Sequence, residues 1–94
     1  SRLLSELNAE ISQTESEMKS IMSSNEELSE NEKFRYQSNE EYCLFLYKLH
    51  AMVMIREEYI DAAYEDLQHL LQYEETQDFA QTKINELDKK YNNQ

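Results

Sequence analysis

The chain has 94 residues, contains neither glycine nor proline, and carries 20 acidic against 9 basic side chains, for a formal net charge of −11. That length admits at most one small domain. The acidity removes the basic stripe on which nucleic-acid binding rests and sets the chain, on average, against an anionic membrane surface. Without glycine neither a phosphate-cradling loop nor a sharp nucleophile elbow can be written, so the composition points away from an enzyme.

The same two absences bear on the fold. Left-handed turns usually call for glycine, and proline is the usual helix breaker. A chain lacking both is expected to be all-α, with long helices in a coiled-coil or helical-bundle arrangement. Hydrophobic residues make up 39% and charged residues 31%, a balance that suits amphipathic helices. A core of this size is marginal alone, so an oligomer, or folding onto a partner's helices, is expected.

One heptad frame runs along the chain, with Leu4 at position a and Leu7 at position d. Apolar residues are about twice as frequent at a and d as elsewhere, a coiled-coil-compatible signal. Residues 1–30 read as a coiled-coil-like amphipathic helix, with Leu4, Leu7, Ile11, Met18, Ile21 and Leu28 on the seam. In 31–39 the seam turns polar through Glu32, Arg35 and Asn39, which predicts either a connection or a continuous helix with a weak seam. Ser24-Asn25-Glu26-Glu27 and Ser38-Asn39-Glu40-Glu41 each match a capping box, in which a serine and a glutamate three residues on satisfy each other's backbone donors. Residues 40–75 are expected to form a strongly apolar interaction helix. Its segment 42–55 is apolar on nearly every face, which predicts burial from several sides. Thr76 is a candidate cap for a last short helix or frayed tail over 76–94.

The candidate interaction residues are Tyr42, Phe45, Leu46, Leu49, Met52, Val53, Ile60, Ala63, Leu67 and Leu70. They combine the seam with its flanking aromatic and methionine residues, types that bury area and tolerate irregular packing at interfaces. Chemistry-bearing residues are sparse. His50 and His69 lie 19 residues apart and do not share a helical face at metal-ligand spacing. Cys43 and His50 lie two turns apart with no further ligands clustered near them. These residues read as a buried thiol and an interfacial imidazole. No catalytic residue, cofactor or metal is expected.

Residues 42–73, with Arg56 after the apolar run and Tyr64-Glu65-Asp66-Leu67 beyond it, resemble a helix of the BAR domain in sorting nexins. The resemblance implies one long helix of a membrane-remodelling helical dimer. Tyr59-Ile60-Asp61-Ala62-Ala63 is similar to the Tyr-x-x-Ala step of a tetratricopeptide helix, without a second repeat. The residues themselves point to a non-enzymatic coiled-coil scaffold or oligomerisation segment that mediates protein–protein interaction; a fragment of a BAR-type dimer is the alternative. The expected partners are the chain itself or a helical protein, with no nucleic acid, and the net acidity argues against a membrane. A single cysteine suggests a reducing, intracellular and cytoplasmic setting.

If the seam at 42–71 carries the assembly, Leu49→Ala or Val53→Asp should abolish it, because losing a buried leucine costs about 2–5 kcal/mol. Leu4→Ala, in the narrower first stripe, should cost much less. Sedimentation of the variants side by side reads the contrast, and equal effects at Leu4 and Leu49 would refute it.

Overall fold

A computed structural model of the chain describes residues 2–23 and 26–92, and these are all-α. Among them are four α-helices: α1 (Arg2–Met22), α2 (Glu30–Arg56), α3 (Ile60–Leu70) and α4 (Glu74–Leu87). A π-helical turn, Asp88–Asn92, follows α4. The residues gather into two compact units, Ser1–Tyr47 and Lys48–Gln94.

In the first unit, α1 buries Leu7, Ile11, Thr14 and Ile21. These positions are spaced by four, three and seven residues, so they form one face of a 3.6-residue helix. All four belong to the heptad seam. Thr14 can be buried there because its hydroxyl donates to the Glu10 carbonyl at 2.8 Å, one turn back along α1. In the part of α2 that belongs to this unit, Cys43, Leu44 and Leu46 are buried.

Helix α2 starts earlier than the polar seam suggests. Ser29 stands just before it. The Ser29 backbone N–H donates to Glu32 Oε1 at 2.9 Å, and the Glu32 N–H donates to Ser29 Oγ at 3.1 Å. This is a reciprocal capping box, and it satisfies donors that a helix start would otherwise leave open. Both serine bonds hold the Glu32 carboxyl below its usual range. The box at Ser38 predicted from sequence lies inside α2 and starts nothing, and Ser24 and Asn25 lie outside the described residues. The polar stretch 31–39 is therefore helical, with its weak seam exposed or half-buried, and the connection falls before it.

The expected single helix over 40–75 is divided at 57–59. The Tyr59 N–H donates to the Met54 carbonyl at 2.9 Å, and the Glu58 N–H to the Ile55 carbonyl at 3.1 Å. Together they make a Schellman motif, which satisfies the last carbonyls of a helix when the residue after its C-cap turns left-handed. That residue is Glu58, at φ 64°. Glycine is the usual occupant, and a side chain with a Cβ is strained there by about 1–2 kcal/mol. Absence of glycine thus did not prevent a tight turn.

The second unit holds the rest of α2 together with α3, α4 and the π-helical turn. Its core is built around three alanines that are completely buried, Ala51, Ala63 and Ala80, one on each of α2, α3 and α4. Leu67 and Leu70 are the largest side chains with no exposure. Helices α3 and α4 pack against each other in this interior. Lys48 Nζ of α2 sits 4.9 Å from the centre of the Phe79 ring of α4, in cation–π contact.

Between α3 and α4, Thr76 does something different from capping. It lies in the first turn of α4, is buried, and its hydroxyl donates back to the Leu70 carbonyl at 2.7 Å. This bond serves a carbonyl at the end of α3 that has no partner within its own helix. Beyond this junction the heptad frame no longer describes the interior. Helix α4 buries Thr76, Ala80, Ile84 and Leu87, of which only Ile84 is a seam position. Each turn resets the angular phase of the next helix, so a frame counted through the turns loses its meaning.

Two variants test these turns. Glu58→Gly should stabilise the fold by about 1 kcal/mol, through relief of the left-handed strain partly offset by the greater freedom of unfolded glycine. Thr76→Val, which keeps the shape and removes the hydroxyl, should destabilise it by about 1–2 kcal/mol. Urea titrations of both against the parent chain check the opposite signs.

Candidate interaction surface

The ten candidate residues part into two groups. Leu46, Val53, Ala63, Leu67 and Leu70 are buried, and Leu49 and Ile60 are half-buried. These seam positions serve the chain's own interior. Tyr42, Phe45 and Met52 are exposed, at 43%, 52% and 48% of their surface. The segment 42–55 is thus not enclosed on every side, as its composition suggested. Its buried positions cover one broad arc of α2, and Phe45 and Met52 lie opposite that arc.

A further aromatic residue joins them that the sequence reading passed over. Phe34 of α2 is 71% exposed. It precedes Phe45 by 11 residues, which is three helical turns, so both project from the same side about 16 Å apart. The signal was present in the sequence as an aromatic residue at that spacing, but it lay in a polar stretch and off the a/d seam. Exposed single apolar residues are ordinary, whereas phenylalanines aligned on one helix side form a surface that gains from being covered.

Tyrosines anchor α2 to α1 within the first unit. Tyr42 Oη donates to Glu10 Oε2 at 3.0 Å, and Tyr47 Oη donates to Glu15 Oε2 at 2.9 Å. The accepting carboxylate raises the Tyr42 hydroxyl above its ordinary range. An open groove of ≈ 640 Å³ in the same unit is lined by Met18, Met22 and Tyr36 with Glu15 and Lys19 at hand. Tyr36 is two residues from Phe34, hence on the other side of α2. Cys43 is buried and free. Burial first, and then the charges of Glu15 and Glu40, push its thiol up to about 11, so the reactive thiolate is scarce near neutral pH.

The second unit contains a largely buried polar pair. His50 Nδ1 of α2 lies 2.5 Å from Asp66 Oδ2 of α3, with only 15% and 11% of the two side chains exposed. An ionised carboxylate only accepts, so Nδ1 carries the proton whenever Asp66 is charged. Burial pushes the Asp66 carboxyl above its ordinary range, while the hydrogen bond and charge of His50 act against that shift; Glu65 raises it further and His69 lowers it. The His69 ring meets the Tyr73 ring edge-on at 5.4 Å. From the middle of α3, Tyr64 Oη donates to Asp88 Oδ1 at 2.6 Å and accepts from Asn92 Nδ2 at 2.9 Å, which ties the π-helical turn to α3. Among the described residues no group of three or more His, Cys, Asp or Glu side chains is placed to hold a metal ion, and no helix is long and apolar enough to cross a membrane.

Comparison with known protein families, with curated proteins and with solved structures finds no match to this chain. The stretch 42–73, which its likeness to a BAR-domain helix would place on one long helix, is here the end of α2, the turn at Glu58, all of α3 and residues 71–73.

Two measurements probe these buried groups. Asp66 in the unfolded chain loses its proton near 3.8, and in the folded chain at a higher pH. Between the two values the folded state binds more protons, so the contribution of Asp66 to stability is fullest in acid and falls as pH rises through the folded value. Asp66→Asn should accordingly gain stability relative to the parent as pH rises from 3.8 through the folded value; the opposite trend in paired thermal melts would mean that the ion pair with His50 outweighs burial. Cys43 should resist alkylation by iodoacetamide at neutral pH until the chain is unfolded in urea, and rapid labelling of the folded chain would contradict its burial.

Proposed function

We propose that this chain is a non-enzymatic helical interaction module, which acts by presenting one side of α2 to another protein. The observation that carries this reading is the division of α2. Its seam leucines and valine are used inside the chain, while Phe34, Tyr42 and Phe45 of the first unit stand exposed. A helix whose apolar residues exceed what its own fold covers gains free energy when another apolar surface covers them, by about 25 cal/mol for each Å² removed from water. Aromatic side chains supply large contact area at low entropic cost and dominate the energetics of such surfaces.

This shifts the functional residues relative to the sequence reading. Leu46, Val53, Ala63, Leu67 and Leu70 hold the module together, and Phe34, Tyr42 and Phe45 are its contact residues. An oligomerisation or scaffold role is consistent with that surface. The acidity of the chain supports a protein partner over an anionic lipid surface.

The test separates the two groups of residues. Phe34→Ser and Phe45→Ser should leave the helical circular-dichroism signal and melting temperature near those of the parent, because both side chains are already exposed. They should weaken association, either self-association followed by light scattering or capture of a helical partner. Val53→Asp should instead lower the melting temperature, since it places a charge in a buried site. If the serine variants associate as the parent does, the contact surface lies elsewhere.

A further inference from the structure

The exposed side of α2 carries charge as well as aromatic area. Glu30 lies one turn before Phe34, and Glu41 one turn before Phe45. All four are exposed. At 100° per residue they fall within a narrow stripe of one helix side, so acid and aromatic alternate along about 22 Å of α2. Lys33 reaches Glu30 at 3.5 Å, with both side chains well exposed, a contact that solvent weakens.

This stripe says which occupant fits. A second copy of the chain would bring an equally acidic surface against it, with net −11 meeting net −11. Like charges placed across an interface select against that pairing. A helix with apolar residues at i, i+4, i+7 and i+11 and with lysines or arginines flanking them meets both features at once. Its apolar face covers Phe34 and Phe45, and its cations reach Glu30 and Glu41. We infer that the Phe34–Phe45 side of α2 docks a basic amphipathic helix of another protein, in preference to a second copy of this chain. The inference rests on the reading of the chain as an interaction module and specifies its partner.

The experiment uses the full chain and two synthetic amphipathic helices of equal length, one built from leucine and lysine, the other from leucine and glutamate. Calorimetric titration should show binding of the lysine peptide and none of the glutamate peptide. Phe34→Ser with Phe45→Ser alters no charge, so plain electrostatic adhesion survives it. Docking on this side of α2 should weaken by about tenfold or more. Glu30→Gln with Glu41→Gln should weaken it as well and flatten its salt dependence. Binding of the lysine peptide that is unchanged by the serine substitutions overturns the inference. So does binding of both peptides alike. If light scattering shows instead that the parent self-associates and that the serine substitutions abolish it, the partner is a second copy: the interaction module stands and the basic partner falls. If neither peptide binding nor self-association responds to the serine substitutions, both fall.

Discussion

Everything in this fold follows from having to end helices without glycine. A helix that stops leaves backbone donors and acceptors that must find partners, and glycine in a left-handed turn is the commonest way to provide them. The chain instead uses three different devices. Ser29 and Glu32 open α2 reciprocally. Glu58 closes it from a strained left-handed conformation. Thr76 reaches back from α4 to the last turn of α3. Each device takes a polar side chain or a strained residue, and together they set both ends of α2 and the junction between α3 and α4.

Helix lengths in turn decide which apolar residues are inside. Once α2 stops at Arg56, α3 and α4 can supply Ala63, Leu67, Leu70 and Ala80 to the same interior as Ala51 and Val53 in the second unit. A straight helix continuing through residue 73 would have left those side chains in water. The interior of each unit buries one broad arc of α2, and the residues on the far side stay exposed. The candidate surface is therefore a remainder: the apolar part of α2 that its own chain does not cover.

Among the described residues no buried side-chain nitrogen or oxygen lacks a hydrogen-bond partner. Thr14 and Thr76 satisfy their hydroxyls on backbone carbonyls, and Asp66 finds His50. The His50–Asp66 pair is the most consequential of these, because a largely buried carboxylate without its partner would be costly. It fixes α3 against α2 within the second unit more specifically than leucines alone could. Satisfied polar pairs and an unreactive, desolvated thiol at Cys43 are features of a structural interior.

The sequence by itself determined that the chain is helical, because the heptad spacing and the want of strand and turn residues leave no other regular structure. It also determined the buried face of α1, where Leu7, Ile11, Thr14 and Ile21 follow the seam; within one uninterrupted helix the 3.6-residue period needs no further information. The helix ends were less legible. Ser29 and Glu32 match the same capping pattern as the two boxes marked from sequence, and only the tertiary structure decides which of several equivalent patterns is used. Glu58 carries no local sign of a left-handed turn, since glycine or asparagine is the usual occupant of that position. Nor could the sequence divide Leu46 from Phe45, adjacent residues of which one is interior and the other open to solvent. On a helix that is apolar nearly all round, the period no longer marks an inside, and burial is settled by which sides the other helices occupy.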